Sequence, residues 1–146
     1  ITNQNTNKSP INDFQAVYRH VIVSACLRWK LEITNGIATI EYTVTSTDGQ
    51  IVIKNSYENF ADLASKVFNI ETVVRLNVTT YATKFTDSFG QPDQAALKMQ
   101  ITEETNSKVN WPLKKFAYAD YSEILDFHEL NSLLQKDYET LTKKEN

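Results

Sequence analysis

Residues 20–33 carry the clearest pattern in the chain. Val21, Val23, Ala25, Leu27, Trp29, Leu31 and Ile33 share one parity, and His20, Ile22, Ser24, Cys26, Arg28, Lys30 and Glu32 the other. A repeat of two belongs to an extended strand, whose successive side chains fall on opposite faces. Asn35-Gly36 follows, a pair suited to a type I′ turn because both central residues must accept positive φ. Residues 37–46 then alternate again. A two-residue turn pairs Leu31 with Ile40, Trp29 with Tyr42 and Leu27 with Val44 on the apolar face, and Lys30 with Glu41 on the polar one. Asp48-Gly49 reads as a second tight turn. It pairs Val44 with Ile53 and Ser46 with Ile51, completing a three-strand meander.

Helical spacing takes over at residues 56–70. Phe60, Leu63, Ala64, Val67 and Phe68 form a stripe, with Ser56 or Asn55 as N-cap and Asp62 and Lys66 spaced for an i,i+4 pair. Residues 71–85 return to a repeat of two, with Val74, Leu76, Val78, Thr80 and Ala82 in one row. Further on, Leu97, Met99 and Ile101 alternate with Lys98, Gln100 and Thr102. A turn at Phe89-Gly90 makes a second hairpin, pairing Ala82 with Leu97, Thr80 with Met99 and Val78 with Ile101. Pro92 suits a looser loop as well. Asp120 followed by Glu123 has the form of a capping box. Ile124, Phe127, Leu130, Leu134, Tyr138 and Leu141 recur at helical spacing, which predicts one long closing helix.

The predicted order is β-β-β-α-β-β-α. It describes an α+β domain with an antiparallel, curved sheet of about five strands and two amphipathic helices packed on it, cystatin-like or NTF2-like in architecture. A doubly wound nucleotide-binding fold would need repeated strand–helix alternation and is not expected. Residues 13–141 form the single domain, preceded by a flexible polar leader at 1–12 and followed by a frayed tail at 142–146.

Composition narrows the chemistry. The 146 residues are 41% hydrophobic and include 7 Tyr, 7 Phe and 2 Trp, enough for one core and too much for wholesale disorder. A single cysteine excludes an intrachain disulfide framework, and Cys26 within a strand pattern reads as a small buried hydrophobe. The net charge of −3 and the dispersed basic residues, densest at Lys114-Lys115 and Lys143-Lys144, do not describe a nucleic-acid binder. No stretch reaches the roughly 18 apolar residues of a membrane span. The chain opens on Ile1 and a polar run. A missing upstream signal peptide or anchor explains both and gives an extracytoplasmic location, secreted, periplasmic or surface; a cytoplasmic chain trimmed upstream explains them equally well. Asn7-Lys8-Ser9 and Asn77-Val78-Thr79 match the glycosylation sequon.

Catalytic signatures are missing. His20 and His128 are the only histidines, and neither Asp126 nor Glu129 converges with His128 on a helix face, so no metal is expected. There is no G-x-S-x-G elbow, no C-x-x-C pair and no glycine-rich phosphate loop. No catalytic residue and no cofactor are assigned. Aromatics remain as candidates for an interaction surface or a pocket: Trp29, Tyr42, Tyr81, Phe89, Trp111 and Tyr118. Core packing accounts for the same residues. The function these features favour is a non-catalytic protein-interaction or assembly module, part of an envelope, secretion or surface complex, binding a protein partner or itself. One alternative is a small-ligand binder or enzyme with a pocket between the sheet and the closing helix. Another is an inhibitor-like module presenting loops at Asp48-Gly49 and Phe89-Gly90.

Overall fold

The computed structural model describes residues 26–70, 72–91, 93–111 and 118–144. β1 (Cys26–Thr34) and β2 (Ile37–Val44) form the first predicted hairpin. Asn35 and Gly36 take φ of 55° and 80°, as the turn requires, and Leu31 faces Ile40 while Lys30 faces Glu41. Between Leu27 and Lys30 the register slips, so Leu27 faces Thr43 and not Val44. The expected pairing of Trp29 with Tyr42 falls within this irregularity.

The third predicted strand does not form. Residues Gly49–Val67 are one helix, α1, and Asp48 is its N-cap, its carboxylate accepting from Gln50 N at 2.9 Å. Val52, Ile53, Ser56, Tyr57, Phe60, Leu63, Ala64 and Val67 are buried along a single stripe. Ile51 to Lys54 fit a repeat of two as well as one of 3.6, and only the continuation of the stripe through Ser56 and Tyr57 separates them. Gly49 therefore opens a helix instead of a hairpin.

This correction changes the sheet. α1 carries the chain from β2 to a parallel neighbour, β3 (Arg75–Ala82), with Ile40 beside Val78 and Tyr42 beside Thr80. β4 (Ala95–Thr102) returns antiparallel to β3, but Val78 faces Met99 and Thr80 faces Leu97. The register differs by two residues from the expected one because the connection from Ala82 to Ala95 is long and not a two-residue turn. An even shift keeps every side chain on its face, so the same row faces the core. After a short helix, α2 (Glu103–Asn106), and a 3-10 turn (Tyr118–Asp120) come α3 (Tyr121–Ile124) and β5 (Phe127–Leu130). β5 pairs with β4, Met99 opposite His128. The sheet is mixed and open, ordered β1-β2-β3-β4-β5. The α+β class and five strands stand. The all-antiparallel curved sheet, its order, and the cystatin-like or NTF2-like comparison do not.

The long closing helix is also broken. β5 interrupts it, and a 3-10 turn (Ser132–Leu134) precedes the last helix, α4 (Gln135–Lys144). Asp120 makes no side-chain cap, so the capping box is not realised. Two side chains fasten this segment to β4. The Asp126 carboxylate accepts from Thr102 N at 2.6 Å and from Thr105 Oγ1 at 2.9 Å, and Asn131 Nδ2 donates to Ala95 O at 2.9 Å. Pinned at both ends of β4, residues 127–130 extend along its edge.

The core lies between α1 and one sheet face, where Ala38, Ile40, Leu76, Val78, Leu97 and Met99 meet Ile53, Tyr57, Phe60 and Leu63. The other face carries Thr39, Glu41, Asn77, Thr79, Lys98 and Gln100 by alternation. Asn77, the sequon asparagine, lies mid-strand between β2 and β4.

Candidate functional site

Strand directions place three connections at one end of the sheet. β2, β3 and β5 finish there and β4 starts there. The connections are tied together: Thr83 N donates to Val44 O at 3.1 Å, Thr83 Oγ1 to Ser46 O at 3.0 Å, and Asn131 Nδ2 to Gln94 Oε1 at 3.3 Å. Among the large apolar side chains exposed in the described residues, Ile51, Phe89 and Leu133 belong to this end, and Val74 and Phe127 to the opposite one.

Phe89 is 86% exposed. Its loop is nevertheless well braced. Asp87 Oδ1 accepts from Phe89 N at 2.8 Å and from Gln91 N at 2.9 Å, while Gly90 N donates to Asp87 O at 3.0 Å and Asp87 N to Gln91 O at 2.8 Å. A side-chain carboxylate bonding the backbone two residues ahead is the Asx-turn arrangement, which fixes a tight bend locally. Gly90, at φ 77°, supplies the conformation other residues resist, and Phe85 is buried at the loop base. Beside the loop lies an open depression of about 420 Å³ lined by Gln94, Ala95, Lys98, Glu129, Leu130, Asn131 and Ser132.

A second constellation lies inside the fold. Tyr57, fully buried on α1, stacks on Tyr121 at 4.3 Å between ring centroids, on His128 at 5.8 Å and on Tyr118 at 5.9 Å. Its hydroxyl lies 2.7 Å from His128 Nε2. Tyr138 of α4 approaches the imidazole at 6.5 Å, and Tyr118 Oη donates to Glu58 Oε2 at 3.2 Å. Burial holds the His128 pKa below the ordinary histidine value, against a hydrogen bond to its own backbone. Burial, then the charges of Glu58 and Asp120, push the Tyr121 hydroxyl well above the usual tyrosine value, so it stays protonated.

The six candidate aromatics do not converge. Tyr42 is buried beneath α1, its hydroxyl 3.5 Å from Asn59 Nδ2. Tyr81 is half-buried on the opposite face of the sheet, its hydroxyl pKa raised by burial and by Glu41. Trp111 is half-buried and donates from Nε1 to Asn106 Oδ1 at 2.8 Å. Tyr118 joins the tyrosine–histidine cluster, and Phe89 stands alone at the loop tip. The Trp29 side chain, His20, Lys114-Lys115, Phe116, Asn7-Lys8-Ser9 and the leader lie outside the described residues. Sequence reasoning missed Tyr57, Tyr121, His128 and Tyr138 as a group. Reading residues 49–67 as one helix would have put Tyr57 on the buried stripe. Nothing local announced its partners.

Among the described residues no group of three or more His, Cys, Asp or Glu is placed to hold a metal ion, and no helix is long and apolar enough to cross a membrane. Compared with known proteins, the chain matches no family model, no curated protein and no solved structure, so its functional reading rests on this geometry.

Proposed function

We propose that this domain is a non-catalytic protein-interaction module that docks through its three-loop end, with Phe89 as anchor. The observation that carries the reading is a phenylalanine left almost wholly in water at the tip of a hydrogen-bonded loop. An aromatic ring has much apolar area to bury in a partner, and aromatic anchors dominate interface energetics. A loop already fixed by Asp87 loses little conformational freedom on binding. Ile51 and Leu133 extend the apolar area at the same end. The occupant is a protein surface with a pocket for an aromatic ring. The inhibitor-like alternative narrows to this single loop, because Asp48-Gly49 begins a helix.

Site-specific photo-crosslinking in producing cells tests the reading, with the probe at position 89 and, as control, at the exposed Glu104 on the opposite end. A discrete protein adduct from position 89 alone is the expected result. An adduct of twice the chain mass identifies self-association. Identical products from both positions, or none from position 89, overturn the proposal.

A further inference from the structure

We infer that the contact between His128 and Tyr57 is a pH-responsive latch on α4. His128 sits on the short edge strand β5, opposite Met99 of β4, with its ring stacked on Tyr57 of α1 and next to Tyr138 of α4. With its proton on Nδ1, the neutral imidazole accepts the Tyr57 hydroxyl at Nε2, 2.7 Å away. An imidazolium cannot accept there. Nε2–H becomes a donor, the phenol must turn its own proton elsewhere, and a net charge stands half-buried among aromatic rings.

Among the described residues, no charged side chain is bonded to the imidazole. Tyr57 faces the imidazole from α1, Tyr138 from α4 and Met99 from β4, with Tyr118 and Tyr121 stacked on Tyr57. Among charged side chains on these elements, Glu58 is bonded to Tyr118, Asp137 stands against Gly49, and Glu129 is 3.9 Å from Lys98 on the other sheet face. The shift of His128 arises from burial, with no carboxylate contributing to it. Protonation therefore favours a conformation in which the ring reaches water.

α4 is the element free to give way. β5 is held by its ladder to β4 and by Asp126 and Asn131 at its ends. Tyr57 lies within a 19-residue helix held by a buried stripe of nine residues. α4 has ten residues, and its apolar attachments are buried Leu134 just before it, buried Leu141 and half-buried Tyr138 within it. Segments with few buried contacts open first.

The test is an NMR titration of the full chain from about pH 8 to pH 5, following the His128 ring and the backbone amides. The His128 midpoint should fall below the ordinary histidine value, and the amides of residues 135–144 should shift with the same midpoint. Their hydrogen-exchange protection, corrected for intrinsic rates, should drop severalfold across it while α1 and β3 hold. H128F should abolish the transition. H128Q, which offers a non-titrating acceptor, serves the same purpose if H128F does not fold. Flat α4 protection through the midpoint, a transition that persists in H128Q, or no titration of His128 before acid unfolding overturns the latch.

Discussion

The Ser56 hydroxyl on α1 lies 3.0 Å from the Thr80 hydroxyl on β3, and both residues are fully buried. This polar link fixes the rotation of the crossover helix over the strand it leads into. Ser56 also has Val52 O within 2.8 Å, so Thr80→Val leaves it bonded and preserves shape. T80V should cost about 1 kcal/mol and T80A more, about 2 kcal/mol, because it adds a void. Urea unfolding of both variants checks the order. Equal losses would show that packing alone matters there.

Gly49 marks where the last helix closes on the first. A Cβ at this position would overlap the Asp137 carboxylate and stand 3.1 Å from Leu134 Cδ2. G49A is expected to lose about 1–3 kcal/mol by overpacking. D137A should return most of that loss when combined with it, a non-additivity that a double-mutant cycle measures.

Among the described residues, His128 and Asp126 shape the acid limb of stability. Burial depresses His128, so the unfolded chain takes up its proton first. Stability is full above the ordinary histidine range and declines as pH falls through it, until the folded protein is protonated too. Burial alone would raise the Asp126 carboxyl, but bonds from Thr102 and Thr105, with the charge of Arg75, hold it below the ordinary carboxyl range. Its contribution is present above that range and lost at lower pH. H128Q should flatten the upper part of the stability–pH profile and D126N the lower part. Denaturant midpoints at a series of pH values read both. The lower step should be the smaller, since Asp126 is exposed.

Asn77 Oδ1 is buried and has no hydrogen-bond partner among the described residues. An orphaned buried acceptor costs about 1–3 kcal/mol. Asn77→Val removes it and adds a β-branched side chain suited to a central strand. The variant should gain about 1 kcal/mol in denaturant unfolding.

Legibility followed the range of the interactions involved. The β1–β2 turn was readable because Asn35-Gly36, the apolar row and the Lys30–Glu41 pair all lie within a few residues of one another. The second hairpin kept its faces but not its register, since the Asp87-centred loop is built from backbone bonds that composition does not display. α1 was shortened because Ile51 and Ile53 suit two periodicities. β5 was unreadable locally: Phe127, Leu130 and Leu134 have helical spacing, and the residues that overrule it, Thr102 and Ala95, act from the far side of a strand. The candidate site divides the same way. Phe89 stood out as an aromatic at a turn, whereas the rings around Tyr57 come from four separate elements.

The parallel seam between β2 and β3 also sets an order of assembly. The two hairpins on either side can each zip from its own turn, but the seam must wait until the whole of α1 has brought Ile40 to Val78. Truncations at Ile40 and Val78 are therefore expected to accelerate unfolding more than they slow folding. Until that seam closes, each hairpin shows an open edge to its neighbours in solution, along what becomes the middle of the finished sheet.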